Sequence, residues 1–394
     1  MADKWDWLKD EISGFKAISK LPVILKFLRG KTKGADDITK CTLCPNMCRH
    51  ACPVGIVDGK ETTSPSGKSR IGFLVREGVL SESLENLYPL YMCLSCGCCE
   101  SWCPFDFSVS DILQPLKQEA VENRVVFDKF KPVFENLKKD GYVYDKKPDD
   151  NISGKESNGK ILYLRGCVLR EHYPDIPKKA INVLEKISKD NVSFLNDEKC
   201  CGIPAYNLGD VELFKKIASE NTEVLNNSGY EVVITSCPTC AYAYRILYPS
   251  MGFEIKPRVY HMSEYLLEHK ESLRIKSKNE VKVTFHDPCK IVHGLGKPDV
   301  LHNVLVSVDG LEVVKPRRFA EETFCCGYGG SSICLLNQKL ADDISTERLD
   351  ELKKLADIIV TACPSCKQSF DENKKDDNLQ VLDVSELLEL LSLK

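Results

Sequence analysis

Twenty cysteines, most of them in C-x-x-C clusters, constrain this 394-residue chain more than any other feature. In a small secreted protein such a count would read as a disulfide scaffold. Here the members of each cluster are too close together to staple distant segments, and the polar run Met1 to Asp10 lacks the apolar core of a signal peptide. In a reducing compartment such clusters read as metal ligands, so a cytoplasmic location is expected. At 43% hydrophobic and 28% charged residues, the chain can bury a core without disulfides. Its length suits two or three domains. A net charge of −4 gives no pull toward nucleic acid. No run of 18 apolar residues is present, so no transmembrane helix is expected.

Eight cysteines form two related runs. The second is Cys93-x2-Cys96-x2-Cys99-x3-Cys103-Pro104, the spacing of a bacterial 4Fe–4S ferredoxin motif. Three closely spaced thiolates grip one cubane, and the fourth, before proline, points to a second cluster. The first run, Cys41-x2-Cys44-x3-Cys48-x3-Cys52-Pro53, has one extra residue in its middle gap. The crossing rule assigns Cys41, Cys44, Cys48 and Cys103 to cluster one, and Cys93, Cys96, Cys99 and Cys52 to cluster two. Zinc also uses C-x2-C pairs, but it explains neither the Cys-Pro endings nor the reciprocal fourth cysteine. Cys98 falls outside the spacing and reads as a spectator thiol.

Ten further cysteines form a repeat. Cys167, Cys200-Cys201-Gly202 and Cys237-x2-Cys240 are followed by Cys289, Cys325-Cys326-Gly327 and Cys363-x2-Cys366, at offsets of 122, 125 and 126. The repeat extends to His261-Met262-Ser263-Glu264 and Asp383-Val384-Ser385-Glu386, where each serine reads as a helix N-cap. Short apolar runs (161–164, 232–234, 281–285 and 358–360) alternate with helical patterns (178–187, 211–225 and 335–352), which predicts parallel βαβ units. The cysteines then fall at the carboxyl ends of strands, where such folds place their sites. Adjacent cysteines can serve one centre only if the chain turns sharply, and Gly202 and Gly327 permit that turn. Five thiolates exceed the needs of one cubane. Each repeat therefore holds an unusual cluster, an ordinary four-cysteine cluster with a bystander, or a cluster with a spare redox thiol.

This pattern resembles the D-type iron–sulfur oxidoreductases of the heterodisulfide reductase family, over about residues 40–394. The resemblance rests on all ten repeated cysteines, the two ferredoxin motifs and the segment His286-Asp287-Pro288-Cys289. The second half alone resembles the B-type chain of heterodisulfide reductase. The resemblance implies two cubane clusters and one or two noncubane 4Fe–4S clusters. Cys167, Cys200, Cys201, Cys237 and Cys240 would hold one noncubane cluster, and Cys289, Cys325, Cys326, Cys363 and Cys366 the other. It also implies that the repeats face each other across a pseudo-twofold cleft where a disulfide is reduced. The same architecture occurs in iron–sulfur subunits of flavin-linked glycolate, lactate and glycerol-3-phosphate dehydrogenases, which pass electrons toward quinone. The extra residue between Cys44 and Cys48 departs from the standard motif and leaves the subfamily open.

The expected fold is α+β: an α-helical ferredoxin-like domain (41–115), a connector (116–158), and a duplicated α/β domain (159–275 and 276–394). Residues 1–40 form an amphipathic arm, broken near Pro22, with six basic residues and no acidic one between Ser13 and Lys33. It is either a surface helix or a face for a partner or the membrane surface. Cys334 reads as a packed core thiol. His286 is expected to make a structural hydrogen bond, with proton donation to a departing thiolate as the alternative. Lys290, Arg165 and His293 flank cysteines, either as solvated charge or as a site for an anionic substrate tail. No dinucleotide fingerprint or P-loop is present, so electrons must come from a redox partner: a flavoprotein, a ferredoxin-linked protein or a membrane cytochrome or quinone subunit. A small-molecule disulfide or thiol is the expected substrate, and peripheral association with the inner membrane face is a further expectation.

Overall fold

The computed structural model describes residues 37–106, 108–148, 159–272 and 276–392. The amphipathic arm, Pro22 included, lies outside the described residues except for 37–40, which begin the helix Asp37–Leu43. The first domain is helical: Asp37–Leu43, Pro53–Val57, Pro65–Arg76, Leu84–Tyr91 and Val109–Glu122. Pro53 opens its helix, where no amide donor is needed, and Cys52 caps it by accepting from the Gly55 amide at 3.4 Å. The connector adds the helix Lys131–Asp140, closed by Gly141 in the left-handed conformation.

Two four-stranded parallel sheets follow. Strands β1 (Ile161–Leu164), β2 (Val192–Ser193), β3 (Val232–Thr235) and β4 (Arg258–His261) lie in the order β2-β1-β3-β4. Strands β5 (Lys276–His286), β6 (Asp309–Val314), β7 (Ile358–Thr361) and β8 (Gln380–Asp383) lie in the order β6-β5-β7-β8. The two orders are the same, so the cysteine repeat is a structural repeat. The four predicted strands are β1, β3, β5 and β7. β2, β4, β6 and β8 went unread: all four are edge strands, β2 has two residues and β6 has no buried one.

Two local expectations are corrected. The single helix expected over 335–352 is two, Ser332–Leu336 and Gln338–Leu352. Asn337 breaks it and caps the second by accepting from the Leu340 amide at 3.2 Å. Ser263 and Ser385 are not N-caps. His261 and Asp383 are, because Glu264 and Glu386 reach back to their backbone amides and complete a capping arrangement.

The repeats pack about a pseudo-twofold axis. Helix Ile176–Ser188 lies against Val384–Ser392, and helix Met262–Glu268 lies against Val300–Val306. Leu184, Leu266, Leu301, Leu305, Leu387 and Leu388 are fully buried there in one shared core. Each such side chain is worth roughly 1.5–3 kcal/mol, so the facing of the two cysteine sets is built into the apolar core.

Candidate iron–sulfur sites

The repeated cysteines lie past the carboxyl ends of the strands. Cys167 and Cys237 follow β1 and β3, and Cys289 and Cys363 follow β5 and β7. Cys237 and Cys363 cap helices whose first residues are Pro238 and Pro364. At Gly202 and Gly327 the backbone has φ of 80° and 92°, so the chain reverses directly after each Cys-Cys pair.

Within each set the sulfurs neighbour one another in the same order: Cys167, Cys200, Cys201, Cys240, Cys237, and Cys289, Cys325, Cys326, Cys366, Cys363. The Cys289 and Cys325 sulfurs are 3.8 Å apart. Hydrogen bonds from Cys200 and Cys240 push the Cys201 thiol down to about 6. Those from Cys325 and Cys366, joined by His286, push Cys326 well down. The second cysteine of each pair thus favours the thiolate, the form that metal ligation requires, and Cys237 is pushed the same way by Cys240. All ten cysteines line a single cavity of about 1040 Å³.

The eight ferredoxin-type cysteines converge on two smaller cavities. Cys41, Cys44, Cys48 and Cys103 line one, with Cys99 at its edge. Cys52, Cys93, Cys96 and Cys99 line the other. The extra residue of the first motif is absorbed at Asn46, which takes a left-handed φ of 68° and donates through Nδ2 to Ser64 Oγ at 2.8 Å. Sets of soft thiolates gathered round small enclosed spaces fit iron–sulfur clusters.

The ferredoxin-type domain meets the two repeats unequally. Its cysteine loop lies on repeat 2, with Cys96 within hydrogen-bonding reach of Cys325. The backbone there approaches so closely that a Cβ on Gly330 would sit 2.5 Å from the Cys93 carbonyl oxygen. Cys98, read as a spectator, is buried in this seam and donates to the Thr323 carbonyl at 3.3 Å. Repeat 1 touches the domain away from its cysteines, through Lys117, Gln114 and Tyr91 donating to carbonyls of 206–208.

Cys334, Arg165 and His293 are placed differently from expectation, whereas Lys290 and His286 each take one of the expected placements. Cys334 is half-buried and lines the central cavity, because the break at Asn337 turns its short helix toward the space between the repeats. Burial pushes its thiol up to about 12. We expect Cys334→Ala to keep the full iron content, by iron quantitation; loss of iron would make it a ligand. Arg165 is fully buried against Glu198 and is neither solvated nor in the cavity. His293 packs on Gly97 and bonds Ser101 at 3.1 Å, so it belongs to the domain seam. Lys290 lines the cavity, its Nζ 4.3 Å from the centre of the Tyr242 ring. His286 is fully buried, and its Nδ1 accepts from Arg348 Nε at 3.3 Å. Burial pushes it down, so the ring is neutral; its Nε2 is buried with no hydrogen-bond partner among the described residues, and a ring nitrogen lies within 4.8 Å of the Cys326 and Cys366 sulfurs. Sequence reasoning missed Arg348, Glu198 and Lys68. Lys68 and Arg348 lie on helices and Glu198 in a polar loop, and nothing local signals the burial of any of them.

Comparison with known proteins matches these features. A 4Fe-4S dicluster domain family covers residues 37–107, and a cysteine-rich domain family, CCG, covers 161–245 and 283–371. The chain is 26% identical to the B chain of the Fumarate reductase (CoM/CoB) of Methanothermobacter marburgensis, over 88% of this chain and 70% of that protein. It is also 26% identical to the D chain of the Dihydromethanophenazine:CoB--CoM heterodisulfide reductase of Methanosarcina acetivorans, over 75% of each. An EtfAB:quinone oxidoreductase of Syntrophomonas wolfei is 30% identical over 61% of this chain and 35% of its own length. Among solved structures, a hypothetical protein from Helicobacter pylori shares the fold, with a TM-score of 0.54, 11% identity, and coverage of 96% of this chain and 76% of that one. The dicluster domain and the paired CCG domains place this chain among the CCG-type iron–sulfur electron-transfer proteins, similar to the D chain of heterodisulfide reductase.

Proposed function

We propose that this protein takes electrons from a redox partner at its ferredoxin-type domain and uses them at the paired CCG sites to reduce a small-molecule disulfide, such as a heterodisulfide. The observation that carries the reading is the central cavity, on which both five-cysteine sets open and beside which the Cys93–Cys99 loop lies. In this reading Cys41, Cys44, Cys48 and Cys103 hold the first cubane and Cys52, Cys93, Cys96 and Cys99 the second. The ten repeated cysteines hold the two noncubane clusters. When bound, the clusters supply single electrons at sulfur-ligated iron.

The protein's own residues supply the rest. Leu43, Met47, Trp102 and Phe105 are exposed apolar side chains around the first ferredoxin site, suited to a redox partner. At the cavity, Lys290, Tyr144 and Tyr328 line the substrate space, and the Tyr328 hydroxyl is engaged by the Asp342 and Glu372 carboxylates, each at 2.8 Å. Lys290 can hold an anionic group there, and the two protons that a disulfide needs, beside two electrons, to become two thiols come from water in the cavity. His286 lies behind Cys326 and is not among the residues lining the cavity, so it orients that thiolate rather than protonating substrate.

A second reading is an electron relay for a flavin-dependent glycolate, lactate or glycerol-3-phosphate dehydrogenase, toward quinone. The relative named EtfAB:quinone oxidoreductase favours it. Either reading suits a cytoplasmic protein, peripheral to the inner membrane face; among the described residues no helix is long and apolar enough to cross a membrane. Thiol addition separates the two. Oxidised protein incubated with a dithiol-derived substrate is expected to give a new paramagnetic signal from a CCG site. If no thiol or disulfide perturbs any site, disulfide reduction is wrong and the relay stands.

A further inference from the structure

Lys68 is the fourth residue of the helix Pro65–Arg76, and its side chain is only 2% exposed. Among the described residues it forms no salt bridge. The nearby Asp58 carboxylate is occupied by Lys60 at 2.9 Å and Thr63 at 2.6 Å. An unpaired ammonium buried in protein is costly unless opposite charge faces it. What faces Lys68 is sulfur. It lines the small cavity of Cys52, Cys93, Cys96 and Cys99, and those four cysteines are its principal electrostatic neighbours. Lys117, also buried, stands behind, with Nζ 3.3 Å from the Asn207 carbonyl and 5.1 Å from the centre of the Tyr91 ring. The other ferredoxin cavity, ringed by Cys41, Cys44, Cys48 and Cys103, has no lysine, arginine or histidine in its lining.

The two sites therefore differ in fixed charge. A cation held in a low-dielectric surrounding favours whichever oxidation state carries more negative charge, which is the reduced one. We propose that Lys68 holds the second ferredoxin site at a higher reduction potential than the first, so that electrons entering at the first run downhill to the second. This rests on the electron-transfer reading above. The second site is also the one whose Cys96 abuts Cys325, so the gradient ends against repeat 2. Lys68 is a positioning residue in this scheme: it touches neither partner nor substrate.

The test is an EPR-monitored redox titration of the iron-replete full chain. Cys44→Ser and Cys96→Ser identify which signal belongs to which site. In Lys68→Met, the reduced-to-oxidised ratio of the second site at fixed potential should fall about tenfold or more, about 59 mV for a one-electron couple. The first site should move much less. Lys68→Arg should restore the wild-type value, a result that simple packing would not give. Unchanged potentials in an iron-replete Lys68→Met protein overturn the proposal, as does a shift confined to the first site. Where the neutral variant fails to hold the second cluster, the charged variant decides: retention in Lys68→Arg supports charge compensation, and loss there overturns it. A wild-type protein without a pair of four-iron ferredoxin clusters would refute the functional reading instead.

Discussion

Replacing Cys326 by Ser is expected to empty the second CCG site and leave the ferredoxin pair intact, removing roughly four of about sixteen irons. Cys326 is 3% exposed and lies in the middle of its sulfur row, between Cys325 and Cys366, with the His286 ring behind it. Its sulfur neighbours favour the thiolate here, and a serine hydroxyl cannot take that role because it stays protonated. Cys201→Ser should have the mirror effect on repeat 1. The variants should differ in one respect: the loop of the second ferredoxin site rests on Cys325, so Cys326→Ser should disturb that site's EPR signal more than Cys201→Ser does. Iron quantitation with low-temperature EPR checks both. Simultaneous loss of all clusters in either variant would mean that the domains do not hold their metal independently.

The cysteines were legible in the sequence because metal ligation is written in short spacings, and the backbone between ligands has few ways to bring sulfurs together. The duplication was legible for the same reason, as was the turn at Gly202 and Gly327, where a positive φ is needed. The seam between the domains was not. Gly329 and Gly330 look like part of the Cys-Cys-Gly motif, and their close approach to Leu94 and Cys93 exists only once two segments more than 230 residues apart are packed. Cys334 failed for a related reason: a helical pattern through 335–352 hid the break at Asn337, which decides the side to which the thiol turns. The serines were assigned as caps from a local preference, but the glutamates three residues beyond His261 and Asp383 select those positions instead. Buried charge was the least legible feature. Lys68, Glu198 and Arg348 lie on ordinary stretches, and only the tertiary fold shows that each faces sulfur or an opposite charge.

Glu198→Ala is expected to cost about 3–5 kcal/mol, the range for leaving one member of a buried ion pair unmatched. The carboxylate is 3% exposed and binds two loops at once. It accepts from the amides of Arg165 at 3.0 Å and Gly166 at 2.6 Å, and its Oε2 lies 3.4 Å from Arg165 Nε. Gly166 immediately precedes Cys167, and Glu198 lies two residues before Cys200, so this one side chain sets the spacing between the first two sulfurs of repeat 1. Its removal should therefore lower stability and empty repeat 1 of iron while repeat 2 stays loaded. Repeat 2 ties the corresponding segments differently: Thr323 Oγ1 donates to the Asp287 carbonyl at 2.8 Å, and the Asp287 carboxylate accepts from the Ala320 amide at 2.9 Å, with no arginine partner like Arg165 among the described residues. That contrast supplies the control. Glu198→Gln keeps the shape and can still accept one of the two amides through its single oxygen, so it should retain more iron than the alanine variant. Pairing Glu198→Leu with Arg165→Met removes both charges and should recover much of the stability without recovering the iron, because apolar side chains fill the space but tie no loop. Denaturant midpoints and iron content separate these terms. Wild-type iron in Glu198→Ala would mean that the sheet alone, and not this carboxylate, fixes where Cys167 and Cys200 meet.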